Sequence, residues 1–321
     1  MIELAQFGAG RIGQIHARNV TVTGEARLKY LVDVNATAAA ELAAASGAEV
    51  TAADQVFGDP DVQAVIIASS TDTHADLIEA AAKAGKAIFC EKPIDLDLAR
   101  TRRCLETVAK HGVPLFVGFN RLFDPSFAQL RQSLAKGQIG KLENLTITSR
   151  DPAPPPADYV ARSGGLFRDM MIPDFGTEPQ RLYARGSVLV DPAIGAAGDV
   201  DSAVVLLETA DGVLCQIINS RRAIYGYDQR IEAFGEKGLL LAGNRDARSL
   251  QNWGDQGIVA EKPLYFFLER YAEAYRAEMA HFLACLAGRE QPRVKAEDGL
   301  RALELAEAAN ESLSSGQAVK L

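Results

Sequence analysis

The sequence is poor in cysteine and histidine, and it lacks long apolar runs. Four cysteines, Cys90, Cys104, Cys215 and Cys285, stand far apart with no C-x-x-C pair, a spacing that suggests neither a zinc knuckle nor a disulfide framework. Buried or inert thiols in a reducing compartment are expected instead. There are four histidines, and His74 has no second ligand at a metal-binding spacing, so no metal is expected. No apolar run approaches the roughly 18 residues of a membrane span, and Met1-Ile2-Glu3-Leu4 is not a basic segment leading into an apolar one. We therefore expect no membrane association and a cytoplasmic location. Basic residues are outnumbered, 34 against 42 acidic, for a net charge of −8. A field of that sign argues against general nucleic-acid binding and leaves small molecules as the expected partners.

What remains is an ordinary folding sequence. Its 321 residues, at about 150 per domain, predict two domains, and 48% hydrophobic content leaves little room for disorder. In the first third, apolar runs at 2–7, 28–32, 64–68, 87–90 and 115–118 alternate with Ala-rich helical stretches at 12–20, 36–46, 73–84 and 98–110. That alternation is the pattern of a doubly wound α/β domain with a parallel sheet. Beyond residue 119 the texture changes to strand-like segments at 142–148, 202–208, 213–219, 229–234 and 237–241, with hairpin signals at Asp211-Gly212 and Glu236-Lys237-Gly238. A predominantly antiparallel sheet is expected there, closed by helices at 265–287 and 296–315. The run Asp151-Pro152-Ala153-Pro154-Pro155-Pro156 reads as a stiff loop.

Three motifs carry chemistry. Gly8-Ala9-Gly10-Arg11-Ile12-Gly13 follows a strand and opens a helix, the context in which G-x-G-x-x-G has a mechanism. Gly8 permits the turn, Gly10 lets the backbone approach a pyrophosphate, Gly13 permits close packing, and the N–H groups of Arg11 and Ile12 open the helix. Asp33, at the end of the second strand, is placed to accept hydrogen bonds from adenosine ribose hydroxyls. With Val34 and Asn35 after it rather than arginine, NAD is favoured over NADP. Ser69, Thr71 and His74 leave the third strand and enter a helix, where Thr71 or Asp72 is a candidate cap and small residues leave space for a cofactor. Glu91-Lys92-Pro93 lies at the carboxyl end of the fourth strand run, where open α/β sheets bind ligands. A lysine beside a nicotinamide orients a reacting hydroxyl and favours its alkoxide.

With these stretches the chain resembles the glucose-fructose oxidoreductase, inositol dehydrogenase and rhizopine-catabolism superfamily, and most of all its inositol 2-dehydrogenase branch. The similar segments are 8–16, 70–74, 89–94, 117–127, 149–156, 163–170, 197–203 and 219–230, nearly the whole chain. The resemblance implies a Rossmann doubly wound domain at 1–118 that binds NAD. A second α/β domain with a large open sheet follows at 119–321, for substrate binding and oligomerisation, its C-terminal helix packing back on the first domain. It further implies a homotetramer and oxidation of a cyclitol hydroxyl, myo-inositol to scyllo-inosose, with another sugar or polyol as the alternative substrate. Lys92 and Asp169 are the expected catalytic residues, and Asn120, Asp151, Arg168, Tyr225 and Tyr227 the candidate substrate contacts.

One departure stands out. The family carries a histidine four residues beyond the aspartate matched by Asp169, and here that position is Pro173. Gly176 and Pro179 follow, so a helix expected in the family should be interrupted. Two outcomes stay open. Either Asp169, Asp174 or Lys92 takes over proton transfer at a remodelled wall, or the chain is an NAD-binding relative with crippled catalysis.

Overall fold

The computed structural model describes residues 1–156, 159–160, 163–171 and 178–321. Pro173, Asp174 and Gly176, and with them the expected interruption of the helix, lie outside the described residues. The chain divides into two compact units: Met1–Phe123 with Ala274–Leu303, and Asp124–Glu273 with Glu304–Leu321. The same helices that close the chain are therefore shared out between both units.

In the first unit, β1 (Ile2–Phe7), β2 (Ala26–Val32), β3 (Glu49–Val50), β4 (Ala64–Ile67), β5 (Ala87–Glu91) and β6 (Leu115–Gly118) form one sheet in the order β3-β2-β1-β4-β5-β6. Every pairing in it is parallel. Successive residues of β4 enter different cores: Val65 and Ile67 join one cluster, Ala64 and Ile66 another. Both faces are thus covered, which is why these strands read as unbroken apolar runs. Each such Val or Ile contributes about 1.5–3 kcal/mol by leaving water. The connecting helices are α1 (Arg11–Thr23), α2 (Ala36–Ser46), α3 (Ala53–Gly58), α4 (His74–Lys83) and α5 (Leu98–His111). Asn35 and Asp97 cap α2 and α5, accepting from the Ala38 and Arg100 N–H groups. The strand order reverses between β1 and β4, so the carboxyl ends of these two strands frame the crevice where ligands bind in such sheets.

The second unit holds a seven-stranded sheet in the order β12-β11-β7-β10-β9-β8-β15. Its members are β7 (Leu142–Arg150), β8 (Pro179–Ser187), β9 (Ser202–Thr209), β10 (Leu214–Ser220), β11 (Asp228–Gly235), β12 (Gly238–Ala242) and β15 (Val319–Lys320), with β13 (Gln251–Gly254) and β14 (Gly257–Ala260) as a separate hairpin. Only β7 with β10 is parallel among these pairings. The helices are α6 (Pro125–Ala135), α7 (Leu166–Met170), α8 (Pro192–Ala196) and α9 (Phe267–Arg270). α10 (Ala272–Leu286) and α11 (Ala296–Ser315) follow. The single helix expected over 265–287 is two, divided at Tyr271. There Arg270 turns inward to a buried ion pair with Asp124, the residue that caps α6, and lies between the rings of Phe127 and Tyr271 at 5.2 and 4.9 Å. No helix among the described residues is long and apolar enough to cross a membrane.

Candidate active site and cofactor cradle

The turn from β1 into α1 is built by side-chain size. Gly8 has φ of 104°, and a Cβ there would stand 2.4 Å from the Ala68 carbonyl oxygen and 2.6 Å from the Ser69 nitrogen. At Gly13 a Cβ would lie 2.2 Å from the Gly8 oxygen, so helix and loop touch only because Gly13 has no side chain. The buried Gln6 amide clasps the same turn, donating to the Gly8 and Gly13 carbonyls at 2.8 and 2.9 Å. Gly10 is different. A Cβ on it meets nothing within 4 Å, and α1 starts behind it with no side-chain cap. A helix N-terminus uncapped by protein and opening on free space suits an anion, which is the fit a pyrophosphate requires.

Asp33 joins this turn to the second strand. One carboxylate oxygen accepts from the Ala9 N–H at 2.5 Å and the other from the Asn35 N–H at 2.7 Å. Each oxygen keeps a lone pair for a ribose hydroxyl. Val34 beside it is fully exposed, Gly10 and Arg11 are exposed, and Ile12 is half-buried.

Two expected cofactor contacts and one expected helix cap are placed differently. Thr71 lies in a 3₁₀ turn, and α4 begins after Thr73 without a side-chain cap, so neither Thr71 nor Asp72 caps it. His74 is buried, with Nδ1 2.8 Å from the Pro93 oxygen and Nε2 3.1 Å from the Ser69 oxygen. Its ring ties the β4 and β5 loops together and presents no nitrogen to a ligand. Glu91 is turned inward, its Oε1 2.6 Å from His16 Nε2. Ser69 and Lys92 remain half-buried at the strand ends, Ser69 sharing a 2.7 Å hydrogen bond with Thr73. The Lys92-Pro93 peptide is cis.

In the second unit the register of β7 with β10 sets Arg150 opposite Ser220, and the Asp151 N–H donates to the Ser220 oxygen at 2.9 Å. Asp151 and Arg221 therefore leave the sheet side by side. Arg221 is 1% exposed and its NH1 donates to Asp169 Oδ2 at 2.6 Å and Asp151 Oδ2 at 3.3 Å. Tyr159 donates to the other Asp169 oxygen at 3.2 Å. Burial, followed by the Asp169 charge, pushes the Tyr159 phenol up, so it stays a neutral donor. Asp169 is delivered by α7, whose first N–H, that of Leu166, donates to Asp199 Oδ2 at 2.9 Å. The result is an aspartate held by a buried cation and a phenol, a polar group suited to binding hydroxyls.

Three other candidate substrate contacts of the second unit have different partners. Arg168 donates to Glu307 Oε1 at 2.7 Å and to the Gly164 oxygen at 2.9 Å, an internal ion pair. Tyr225 bonds Asp228 at 2.5 Å and accepts from Arg150 at 3.0 Å. Tyr227 is buried edge-on against Tyr271, centroids 5.9 Å apart, and serves the core. Asn120 sits in a 3₁₀ turn of the first unit, Asn120–Phe123. Among the described residues no group of three or more His, Cys, Asp or Glu is arranged to hold a metal.

Comparison with known proteins settles the relationship. A family model described as an oxidoreductase family with an NAD-binding Rossmann fold matches residues 2–119, and the GFO/IDH/MocA C-terminal domain matches 127–241. An inositol 2-dehydrogenase of Rhizobium meliloti is 47% identical over 100% of this chain and 99% of its own length. The chain belongs to the GFO/IDH/MocA oxidoreductase family. Within it, a myo-inositol 2-dehydrogenase of Thermotoga maritima is 46% identical, covering 100% of this chain and 98% of the relative. A crystal structure of scyllo-inositol dehydrogenase from Lactobacillus casei, with NAD(H) and scyllo-inositol bound, superposes with a TM-score of 0.92 at 29% identity, over 100% of this chain and 99% of that one. As a GFO/IDH/MocA member the chain is an NAD-dependent oxidoreductase, and NAD is its cofactor.

Sequence reasoning missed Arg221, the residue at the centre of the second-unit group. Its signal was the two-residue period of β10: Cys215, Ile217 and Asn219 face inward, and Arg221 continues the same parity. An arginine in line with core positions has to find buried carboxylates, and Asp151 and Asp169 are those carboxylates.

Proposed function

We propose that this family member oxidises a secondary hydroxyl of a cyclitol, with myo-inositol to scyllo-inosose as the first candidate reaction. The full-length identity of 46–47% to two inositol 2-dehydrogenases is the observation that carries it. The polar group of Asp151, Tyr159, Asp169 and Arg221 supports it, because a ring with several hydroxyls needs closely set donors and acceptors.

When bound, NAD supplies the hydride acceptor. Residues 10–13 would hold its pyrophosphate and Asp33 its adenosine ribose. Lys92 would orient the reacting hydroxyl and stabilise the oxygen as negative charge develops on it. Asp169, held by Arg221 and Tyr159, would take the departing proton in place of the histidine that Pro173 displaces. Losing a positioned general base typically costs about 10²–10⁴-fold, so turnover slower than that of histidine-bearing relatives is expected.

Self-association through the open sheet face belongs to the same reading. Cross-strand register puts Val204, Leu206, Leu214, Phe234, Leu239 and Leu241 on one face, all exposed. An apolar surface of that kind favours burial against a second copy of the chain, and light scattering that gives a tetramer mass is the expected result.

The deciding assay mixes the protein with NAD and a panel of myo-inositol, scyllo-inositol and aldoses, and follows reduced nicotinamide by absorbance. Reduction with a cyclitol in preference to aldoses is expected. Reduction with none, alongside tight NAD binding by calorimetry, would overturn the proposal and favour a non-catalytic NAD-binding role.

A further inference from the structure

Beneath the Glu91-Lys92-Pro93 corner, the first unit buries ionisable groups that the cofactor cradle does not use. His16 on α1 is fully enclosed, and its Nε2 meets Glu91 Oε1 at 2.6 Å. The rings of Phe89 and Tyr275 close around it, centroids 4.9 and 5.9 Å away. Phe282 in turn packs on Phe89 at 5.4 Å. On α10, Glu278 stands three residues after Tyr275 and four before Phe282. Residues so spaced share one face of a helix. Glu278 therefore enters the same aromatic box as His16, and it is 2% exposed.

A packing role does not account for this glutamate. Both of its carboxyl oxygens and Nδ1 of His16 have no hydrogen-bond partner among the described residues, whereas buried polar atoms are ordinarily paired. A leucine would fill the box without that desolvation. Burial, and after it the Coulomb effect of Glu91, push the Glu278 carboxyl well above the usual carboxylate range, so this acid is neutral. Glu91 is walled on a further side by Gly118, where any Cβ would stand 3.1 Å from its carboxyl carbon.

We propose that His16 and Glu278 are positioning residues for Lys92: His16 clamps the Glu91 side chain through their hydrogen bond, Glu278 lines the same closed box from α10, and together they fix the strand end that delivers Lys92 to the reacting hydroxyl. The inference rests on Lys92 acting at that hydroxyl. Neither residue touches substrate or cofactor. Their effect reaches the chemistry because a displacement of about 1 Å in a reacting group can cost on the order of 100-fold in rate.

The test compares His16→Asn, Glu91→Gln, the double variant, Glu278→Leu, Glu278→Gln and Lys92→Ala in the full-length chain. His16→Asn should lower kcat about 10- to 100-fold, shift the pH limb of kcat, and leave KM for NAD within about threefold. The double variant should be no worse than the poorer single, since both act through one carboxylate. Glu278→Leu should lose kcat and Glu278→Gln, neutral and of the same shape, should regain most of it. A folded His16→Asn variant with the parent's kcat and pH limb would overturn the proposal, as would losses that multiply independently. If His16→Asn does not fold, Glu91→Gln carries the same expectation. Turnover retained by Lys92→Ala would sink the underlying role of Lys92, whereas its loss there with full activity in His16→Asn would sink the positioning role alone.

Discussion

Replacing Gly10 by alanine separates cofactor binding from stability. Gly10 has φ of −68°, backbone that alanine adopts freely, and the added methyl meets no protein atom within 4 Å. Loss of the glycine at this cap position costs about 1 kcal/mol. The smaller entropy of the unfolded chain offsets about 0.4–1 kcal/mol of it. The thermal midpoint should therefore hardly move. If a pyrophosphate lies against the opening turn of α1, the methyl intrudes into its place, and overpacking of that size costs about 1–3 kcal/mol. That is about 5- to 150-fold in the Kd for NAD. Gly13→Ala is the counterpart. Its methyl would stand 2.2 Å from the Gly8 carbonyl oxygen, so the backbone must shift and stability and NAD binding should fall together. Calorimetric titration with NAD and a thermal melt of each variant decide the matter. A folded Gly10→Ala protein with the parent's Kd would refute the placement of the phosphates.

Other perturbations follow from the same geometry. Asp33→Ala should weaken NAD binding and shrink the preference over NADP, read as the ratio of the two Kd values; an unchanged ratio would remove Asp33 from the ribose. Arg221→Met leaves Asp151 and Asp169 facing each other without their shared buried cation. Breaking a buried pair in this way costs about 3–5 kcal/mol, so the urea midpoint should drop, and an unchanged midpoint would contradict the ion-pair account. Asp59 is held down at about 2, by its hydrogen bond with Lys29 first and the Asp61 N–H next, from an ordinary 3.8. A carboxyl lowered on folding stabilises above its unfolded pKa and loses that contribution as the pH falls through about 2. Asp59→Asn should melt below the parent near neutrality, and the gap should close on approach to pH 2; a gap independent of pH would show that the carboxylate charge is not responsible.

The doubly wound unit was legible because its strands are buried on both faces, and the glycine turn because each missing side chain has a local consequence. β8 was not. Pro179 opens it, Gln180, Arg181 and Arg185 face outward, and only Leu182 and Ala184 carry the inward period. That signal is too thin beside the breakers that precede it. At the site, Gly8, Gly13 and Asp33 stand where the motif puts them, since their roles depend on neighbours a few residues or one strand away. His74 and Glu91 were read as facing a ligand and face the interior instead. Beyond the nearby Ser69, their partners, Pro93 for one and His16 for the other, come from a separate loop and a separate helix that no local pattern brings together. Glu278 is the extreme case, a carboxylic acid on the apolar face of α10 whose electrostatic partner, Glu91, is 187 residues earlier in the chain.

A crystal structure of the chain grown with NAD tests the central claim most directly. The pyrophosphate oxygens should lie within hydrogen-bond reach of the N–H groups of residues 10–13, the adenosine ribose hydroxyls on the Asp33 carboxylate, and the nicotinamide beside Lys92. NAD bound elsewhere, or a ribose that does not meet Asp33, would contradict it.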